Sequence, residues 1–294
     1  MLQEEIYQLG QFIPLHYHFQ MLSDTARMAA FQAAIKQVVT AGHKVVDLGS
    51  GTGVMSFFAA KQGARVWAVD YNPALVAASR KFLRQNGVAQ KVQVFEADAT
   101  YWLPPEPVDI VICEMLHSAL LREKQIQVIA SFRDTHQAKF GTTPNFLPTA
   151  TLLGVQPVWQ SYNFNGYNTP VPLFQSAYAA HEDCCTSIDP IVYKAIDYDN
   201  VQADTFFAQV AFLIQQSTPI NALRFITKNL LTADLETGQT IDWHSQHIVL
   251  PLPQPLELQA GQTLEVTFNY YPGDSIEVLT QTIQIHVAPT QLPH

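Results

Sequence analysis

The chain has 294 residues, of which 48% are hydrophobic and 14% are charged, so it can bury one large core or two modest ones. No stretch approaches the ~20 apolar residues of a membrane span, and the N-terminus is acidic where a secretory signal would be basic. We therefore expect a cytoplasmic protein without a membrane partner. The three cysteines are an odd number with one adjacent pair, which favours reduced thiols and predicts no bound metal.

Charge is divided unevenly along the chain. Residues 1–147 carry 13 basic and 12 acidic side chains, whereas residues 148–294 carry 3 basic and 13 acidic ones. A protein that binds DNA or RNA normally presents basic surface to the phosphates, so we expect no nucleic-acid partner. The acidic second half is compatible with a cationic substrate, and equally with an acidic face that is merely solvated.

Helical and strand patterns alternate along the first half. A helix is predicted from Asp24 to about Thr40 with Ser23 as its N-cap, followed by a short strand of β-branched residues over 44–48. Further helices are predicted over 54–63, 73–86 and 122–135, and further strands over 65–70, 91–95 and 108–113. This order predicts an α/β fold with an open, doubly wound and mostly parallel sheet.

Two glycines, Gly49 and Gly51, stand in the turn between the first strand and its helix, where a ligand can approach bare backbone. A dinucleotide fingerprint would place its third glycine on Val54, so the turn does not predict a pyrophosphate site. The second strand ends in Asp70, where a carboxylate can accept both ribose hydroxyls. Together with Asp47 these residues form a candidate nucleoside site, although an ordinary turn between strand and helix is the alternative.

Near Pro148 the helical spacing of apolar residues gives way to strand-like runs, which predicts a first domain over 1–147 and a second over 148–294. Strand-like runs in the second half lie at 149–158, 205–215, 222–231, 246–250, 263–271 and 276–287. They predict an antiparallel β-barrel or β-sandwich. Residues 159–190 fit neither the helical nor the strand periodicity, and we expect them to form a long excursion over the surface.

Glu114 ends the fourth strand, and Glu123 follows nine residues later. At the carboxyl edge of a doubly wound sheet, two carboxylates on one loop can bind a guanidinium, whose planar donors match them. Alternatively, Glu114 meets the ligand or a helix N-terminus and Glu123 only favours the first turn of its helix.

Three stretches carry a resemblance to the protein arginine methyltransferases, which are class I enzymes dependent on S-adenosyl-L-methionine (SAM). Residues 21–27 are similar to the family's Met-Leu-x-Asp-x-x-Arg helix, residues 46–63 to its cofactor loop and residues 108–123 to its double-glutamate hairpin. The resemblance implies SAM as cofactor, with Met21 near the sulfonium and Arg27 paired with the SAM carboxylate. Asp98, near the end of the third strand, is the candidate on the adenine side.

One further place differs from the family, and another extends the resemblance. Ile241-Asp242-Trp243 stands where the family has Thr-His-Trp, so Trp243 is kept as a candidate in the acceptor channel and the histidine is replaced. The aromatic segment 159–180 lies where the family carries a dimerisation arm, which implies a homodimer. Its aromatic residues are Tyr162, Phe164, Tyr167, Phe174 and Tyr178.

Glu114, Glu123 and Trp243 are thus the candidate catalytic residues. The leading hypothesis is methylation of a guanidinium, in a cationic protein or peptide. Methylation of a small molecule and a SAM-binding scaffold without catalysis are the alternatives.

Overall fold

The computed structural model describes residues 13–234 and 237–289. A single 3-10 turn over Leu15–Tyr17 leads into helix α1 (His18–Ser23) and helix α2 (Thr25–Val38). The predicted N-cap Ser23 is wrong, because this residue is still the last of α1. Asp24 has the extended backbone of a cap, with φ of −71° and ψ of 92°, and its carboxylate accepts the Arg27 N–H at 2.9 Å.

The first sheet consists of five parallel strands in the order β3-β2-β1-β4-β5. These are β1 (Lys44–Leu48), β2 (Arg65–Asp70), β3 (Val92–Glu96), β4 (Ile110–Cys113) and β5 (Asn145–Leu147), with helices α3 (Val54–Lys61), α4 (Pro73–Gln85) and α5 (Gln125–Phe140). The apolar side chains of β1 and β2 are buried, as a parallel sheet covered by helices on both faces requires. The predicted α/β fold class is therefore confirmed.

The rest of the chain forms antiparallel sheets. Its elements are β6 (Ala150–Gln160), β7 (Asn163–Phe164), β8 (Tyr167–Asn168), β9 (Leu173–Gln175), β10 (Cys184–Cys185), β11 (Ile191–Asp197), β12 (Phe206–Leu213), β13 (Thr218–Ala233), β14 (Thr240–His244), β15 (His247–Leu258), β16 (Thr263–Tyr270), helix α6 (Ile276–Thr282) and β17 (Gln284–Ala288). One sheet runs β10-β6-β13-β15-β9 with β11 on β6 and β14 on β13, a second runs β12-β16-β17, and β7 pairs with β8. The domain boundary after residue 147 stays a prediction.

Two predictions for this half need correction. The predicted strand over 276–287 begins as helix α6, because Ser275 caps it by accepting the Val278 N–H. The region 159–190, predicted as an excursion without a period, contains four short strands, and the sequence pattern missed β11 and β14. None of the helices in the described part of the chain has the length and apolar character needed to cross a membrane.

The start of α3 packs tightly against α4. Gly53 has φ of +82°, and a Cβ on it would lie 2.5 Å from Ser79 Oγ. We expect Gly53→Ala to lower the free energy of unfolding by about 3 kcal/mol, because left-handed backbone costs alanine roughly 1–2 kcal/mol and overpacking typically 1–3. Gly87, with φ of +70° and open space around it, is the matched control. Urea unfolding that gives equal losses for Gly87→Ala and Gly53→Ala would contradict the packing argument.

Candidate active site

The glycine turn lies at the carboxyl edge of the parallel sheet, between β1 and α3. The Gly51 N–H donates to Asp70 Oδ2 at 2.8 Å, and the Asn72 N–H donates to Asp70 Oδ1 at 2.9 Å. Gly49 lies beside the Met115 side chain, and a Cβ on it would come within 3.0 Å of Met115 Cγ. The turn and the end of β2 are thus tied together by one buried carboxylate.

The other two predicted carboxylates of the cofactor site have different surroundings. Asp47 is buried, and its Oδ2 accepts hydrogen bonds from Ser56 N–H at 3.0 Å and Ser56 Oγ at 2.6 Å. Burial raises the pKa of Asp47 to about 6 in spite of these bonds. Asp98 is exposed and accepts the Thr100 N–H at 2.8 Å. Asp47 therefore holds the start of α3 rather than facing the turn.

Helix α1 lies over the glycine turn. The His18 imidazole packs on Gly51 so closely that a Cβ there would lie 2.8 Å from His18 Cε1. His18 Nε2 is buried and has no hydrogen-bond partner among the described residues. Burial lowers the pKa of His18, whereas nearby Asp70 raises it. The unpartnered nitrogen favours a ligand role for His18 over packing alone.

Three charged groups meet under this lid. Arg27, which is 7% exposed, forms an ion pair through Nη2 with Glu114 Oε2, and its guanidinium lies 5.9 Å from the centre of the Trp243 ring. Burial lowers the pKa of Arg27 to about 10, whereas Glu123 and Asp24 raise it. Burial raises the pKa of Glu123 to about 7, against the pull of nearby arginines. Glu114 is therefore paired with the desolvated Arg27, and Glu123 lies near enough to interact with it electrostatically.

The loop that carries both glutamates has a strained backbone. Among the described residues, four that are not glycine have positive φ, and three of them lie here: Ala119 (54°), Leu120 (54°) and Arg122 (64°). Such conformations cost L-residues roughly 1–2 kcal/mol each and persist only where surrounding contacts impose them. Here the contacts come from the antiparallel sheets and the turn before α6.

These contacts bind the backbone of the loop at several points. The Arg122 N–H donates to the Asp274 carbonyl at 2.8 Å, and Leu120 accepts from Gly273 N–H at 2.9 Å. Ser118 Oγ donates to the Gln246 carbonyl. Sequence patterns gave no sign of these restraints, because they join segments more than 100 residues apart.

Trp243 closes one side of the charged centre. It is 6% exposed, and its ring lies 6.1 Å from Phe31 of α2. Its neighbour Asp242 forms an ion pair with Lys228 Nζ at 2.9 Å on β13. The residue that replaces the family's histidine is therefore held by a lysine of the adjacent strand.

Segment 173–181 lies against the same region. The Phe174 ring packs edge-on against His117 with ring centres 5.7 Å apart, and burial lowers the pKa of His117 to about 4. Tyr178 Oη accepts the His244 N–H at 2.8 Å. His117 is therefore uncharged at neutral pH, and its Nδ1 lies 3.2 Å from the Ser118 carbonyl. In the described part of the chain, no group of three His, Cys, Asp or Glu side chains is placed to hold a metal ion.

Comparisons with known proteins point to one family. A family model described as a methyltransferase domain matches residues 45–137. Protein arginine N-methyltransferase 2 of Xenopus tropicalis is 34% identical over 298 residues, covering 89% of this chain and 67% of that protein. Arginine N(omega)-methyltransferase of Streptomyces achromogenes is 31% identical over 123 residues, covering 40% of this chain and 34% of that protein.

Among solved structures, the Trypanosoma brucei PRMT1 enzyme-prozyme heterotetrameric complex with AdoHcy matches with a TM-score of 0.69 and 18% identity, covering 93% of this chain and 98% of that one. At this identity the match supports the fold. The strand order, the glycine turn and the matched domain define a SAM-dependent methyltransferase. The relative at 34% identity shows further that the chain belongs to the protein arginine methyltransferase family.

The raised pKa of Glu123 makes stability depend on pH. Between about 4.5, the ordinary pKa, and about 7, the folded chain keeps a proton that the unfolded chain releases. The penalty for burying this charge is thus absent below that window and complete above it. We expect Glu123→Gln to gain stability over the wild type as pH rises from about 5 to 8, by up to about 3 kcal/mol.

Urea unfolding across this pH range measures the difference between variant and wild type. Glu106 is the control, because the hydrogen bond from Lys44 lowers the pKa of that exposed carboxyl. Its contribution to stability is lost only as pH falls below its ordinary pKa of about 4.5, so the Glu106→Gln difference should stay constant from about pH 5 to 8. A Glu123→Gln difference that does not change with pH would contradict the burial of its charge.

Proposed function

We propose that this enzyme transfers a methyl group from SAM to a guanidinium nitrogen, with arginine in a protein or peptide as the acceptor. The observation that carries the proposal is the placement of Glu114 and Glu123 on one loop beside the buried Arg27. A guanidinium presents donors in a planar fork that two carboxylates can accept. The Xenopus tropicalis relative is named as a protein arginine N-methyltransferase, which supports the same acceptor.

The described residues fit SAM, which supplies a methyl group on a positively charged sulfur. The glycine turn lies beneath α1 with His18 against Gly51, and polar atoms in this region are buried without a partner among the described residues: His18 Nε2, Arg27 Nε and Ser50 Oγ. Each oxygen of Asp70 accepts one N–H and keeps a lone pair for a ribose hydroxyl. Orphaned buried donors and acceptors of this kind require a partner, and a nucleoside amino acid offers several.

We assign the parts of SAM as follows. Arg27 binds the carboxylate through its unpartnered Nε, Asp70 binds the ribose, and the bare backbone of Gly49 and Gly51 lets Met115 and His18 pack close to the turn beside the nucleoside. Met21 on α1 and Asp98 after β3 remain the proposed contacts to the sulfonium and the adenine. Asp47 acts indirectly, through the start of α3.

The protein's main task in methyl transfer is alignment, because the reaction is an in-line displacement. Glu114 and Glu123 hold the acceptor guanidinium in one plane and orient the lone pair of its nitrogen. The nitrogen must lose a proton after methylation, and the Glu123 carboxyl, with a pKa of about 7, is matched to accept it. Trp243 excludes water from one side of this centre, where it is 6% exposed.

Glu123→Gln tests the proposal, because it keeps the shape of the side chain and removes its charge. We expect methyl transfer to an arginine peptide to fall by ~100-fold or more, from lost alignment and electrostatics. SAM affinity, measured by calorimetry on the same preparation, should remain within about twofold, since the glycine turn and Asp70 are untouched.

Two matched variants complete this test. Glu106→Gln removes an exposed carboxylate far from the loop and should leave both readouts unchanged. Asp70→Ala should weaken SAM binding by roughly 2–3 kcal/mol, as expected for two charge-assisted hydrogen bonds. Near-normal transfer by Glu123→Gln would refute the guanidinium clamp.

A small guanidino compound with a carboxylate is the second candidate acceptor. A positive side chain, Arg122, lies on the loop itself and lowers the pKa of Glu123. It suits a small anionic group better than a basic protein. The Streptomyces achromogenes relative is named as an arginine N(omega)-methyltransferase. Labelled SAM offered with free arginine and with an arginine peptide separates the two acceptors by the size of the labelled product.

We further propose a homodimer. In the predicted arm, Phe164 and Tyr167 on the β7–β8 hairpin are 49% and 71% exposed, whereas Tyr162 is only 8% exposed and packs in a local core. An apolar cavity of about 370 Å³ lies between α3 and α4, beside Leu22 of α1. Its lining includes Leu22, Phe57, Phe58 and Phe82. An exposed aromatic hairpin and an apolar cavity each need cover, and a second copy offers both.

Light scattering tests this assembly. We expect particles of twice the 32.8 kDa chain mass at micromolar concentration, because an arm interface should exceed ~1,000 Å². Tyr167→Asp should shift the equilibrium to single chains. Tyr101→Asp is the control, because Tyr101 is 83% exposed and lies outside the hairpin and cavity. Single chains in the wild type would refute the proposal.

A further inference from the structure

One residue in the middle of the glutamate loop, Ala119, is hydrogen-bonded through both its N–H and its carbonyl to side chains of the antiparallel sheets. The Ala119 N–H donates to Thr227 Oγ1 on β13 at 2.7 Å, and the Ala119 carbonyl accepts from Tyr270 Oη on β16 at 2.9 Å. Thr227, Tyr270 and Ala119 are all buried. Ala119 is also the first of the three residues held at positive φ.

The Tyr270 hydroxyl has a second neighbour. Tyr193 Oη lies 2.7 Å from Tyr270 Oη. A hydroxyl has one hydrogen, and that of Tyr270 goes to Ala119, so Tyr193 must be the donor in this second bond. The bond from Tyr270 to Ala119 therefore uses the hydrogen of Tyr270 and can form without Tyr193. Burial raises the pKa of both tyrosines, which keeps both hydroxyls protonated.

We propose that Tyr270 and Thr227 are positioning residues for methyl transfer. Neither side chain lies on the glutamate loop, and their two hydrogen bonds fix the left-handed conformation of Ala119. Without them an L-residue relaxes toward negative φ, since αL is disfavoured for alanine. Such a rotation redirects the chain between Glu114 and Glu123, and the two carboxylates no longer face one guanidinium. This inference rests on the proposed function of the two glutamates.

The loop reaches the proposed cofactor site at its start, where Glu114 pairs with Arg27 and Met115 lies beside Gly49. Gln125 holds that start by accepting the Met115 N–H at 2.9 Å. The hydrogen bonds of the glycine turn run to Asp70 and to the Val69 carbonyl, and none runs to Tyr270 or Thr227. A defect in Ala119 should therefore reduce transfer without reducing cofactor affinity. A general loss of folding would reduce both.

Tyr270→Phe keeps the ring and removes the hydroxyl. We expect kcat for an arginine peptide to fall by ~10-fold or more, with SAM affinity within about twofold of the wild type. Thr227→Val, which removes the acceptor for the Ala119 N–H, should act in the same direction. Tyr193→Phe is the matched control: it removes one buried hydroxyl bond, leaves the bond from Tyr270 to Ala119, and should change kcat by less than about threefold. Equal losses for Tyr270→Phe and Tyr193→Phe would overturn the proposal.

Rescue provides a second, stricter test. Glycine adopts positive φ readily, so Ala119→Gly should remove the strain that the hydroxyl opposes. In the Tyr270→Phe background, Ala119→Gly should recover at least about half of the decrease in log kcat that Tyr270→Phe causes. Failure of this rescue would show that the loss arises elsewhere and would overturn the proposal.

Amide hydrogen exchange separates this proposal from the proposed acceptor. Tyr270→Phe should speed exchange over residues 114–123, and Tyr193→Phe should not, whatever the substrate of the enzyme is. If the wild type transfers no methyl group to any guanidinium but exchange follows this pattern, the positioning role survives and the proposed function fails. Unchanged exchange in Tyr270→Phe overturns the positioning role itself.

Discussion

The burial of three ionisable groups at one point constrains the rest of this molecule. Arg27 comes from helix α2, and Glu114 and Glu123 come from the loop after β4. Taking such ions out of water costs several kcal/mol each, which only close pairing and hydrogen bonding can offset. The lid, the parallel sheet and the antiparallel sheets must therefore meet with little freedom, with Trp243 packed beside the guanidinium. A site of this kind is complete only when both halves of the chain are in place.

The sequence predicted those features that local chemistry determines. The strand over 44–48 has the observed bounds, and the glycine turn lies where a strand of β-branched residues meets a helix. The nine-residue separation of Glu114 and Glu123 indicated a shared loop, because spacing is a local property. The helix at 276–282 escaped prediction, since its apolar residues alternate like those of a strand and a single serine cap reverses the outcome.

Other parts of the site depend on contacts between distant segments and left no local signal. His18 is an ordinary histidine in the sequence, and only its contact with Gly51 distinguishes it. The restraints on Ala119 come from Thr227 and Tyr270. The periodicity of their strands already accounts for both as core residues. Such roles arise from tertiary placement, which periodicity does not record. The replacement at Asp242 was visible, but its partner Lys228 was not.

The glutamate loop also has a place in the order of synthesis. Its restraints at Thr227 and Tyr270 follow Ala119 by 108 and 151 residues. Domains fold as they emerge from the ribosome, at about 5–20 residues per second, so the second restraint arrives about 8–30 seconds after the loop itself. A nascent chain can thus form its nucleoside turn while its glutamates are still unaligned. The loop therefore gains its second restraint only after Tyr270 has been made.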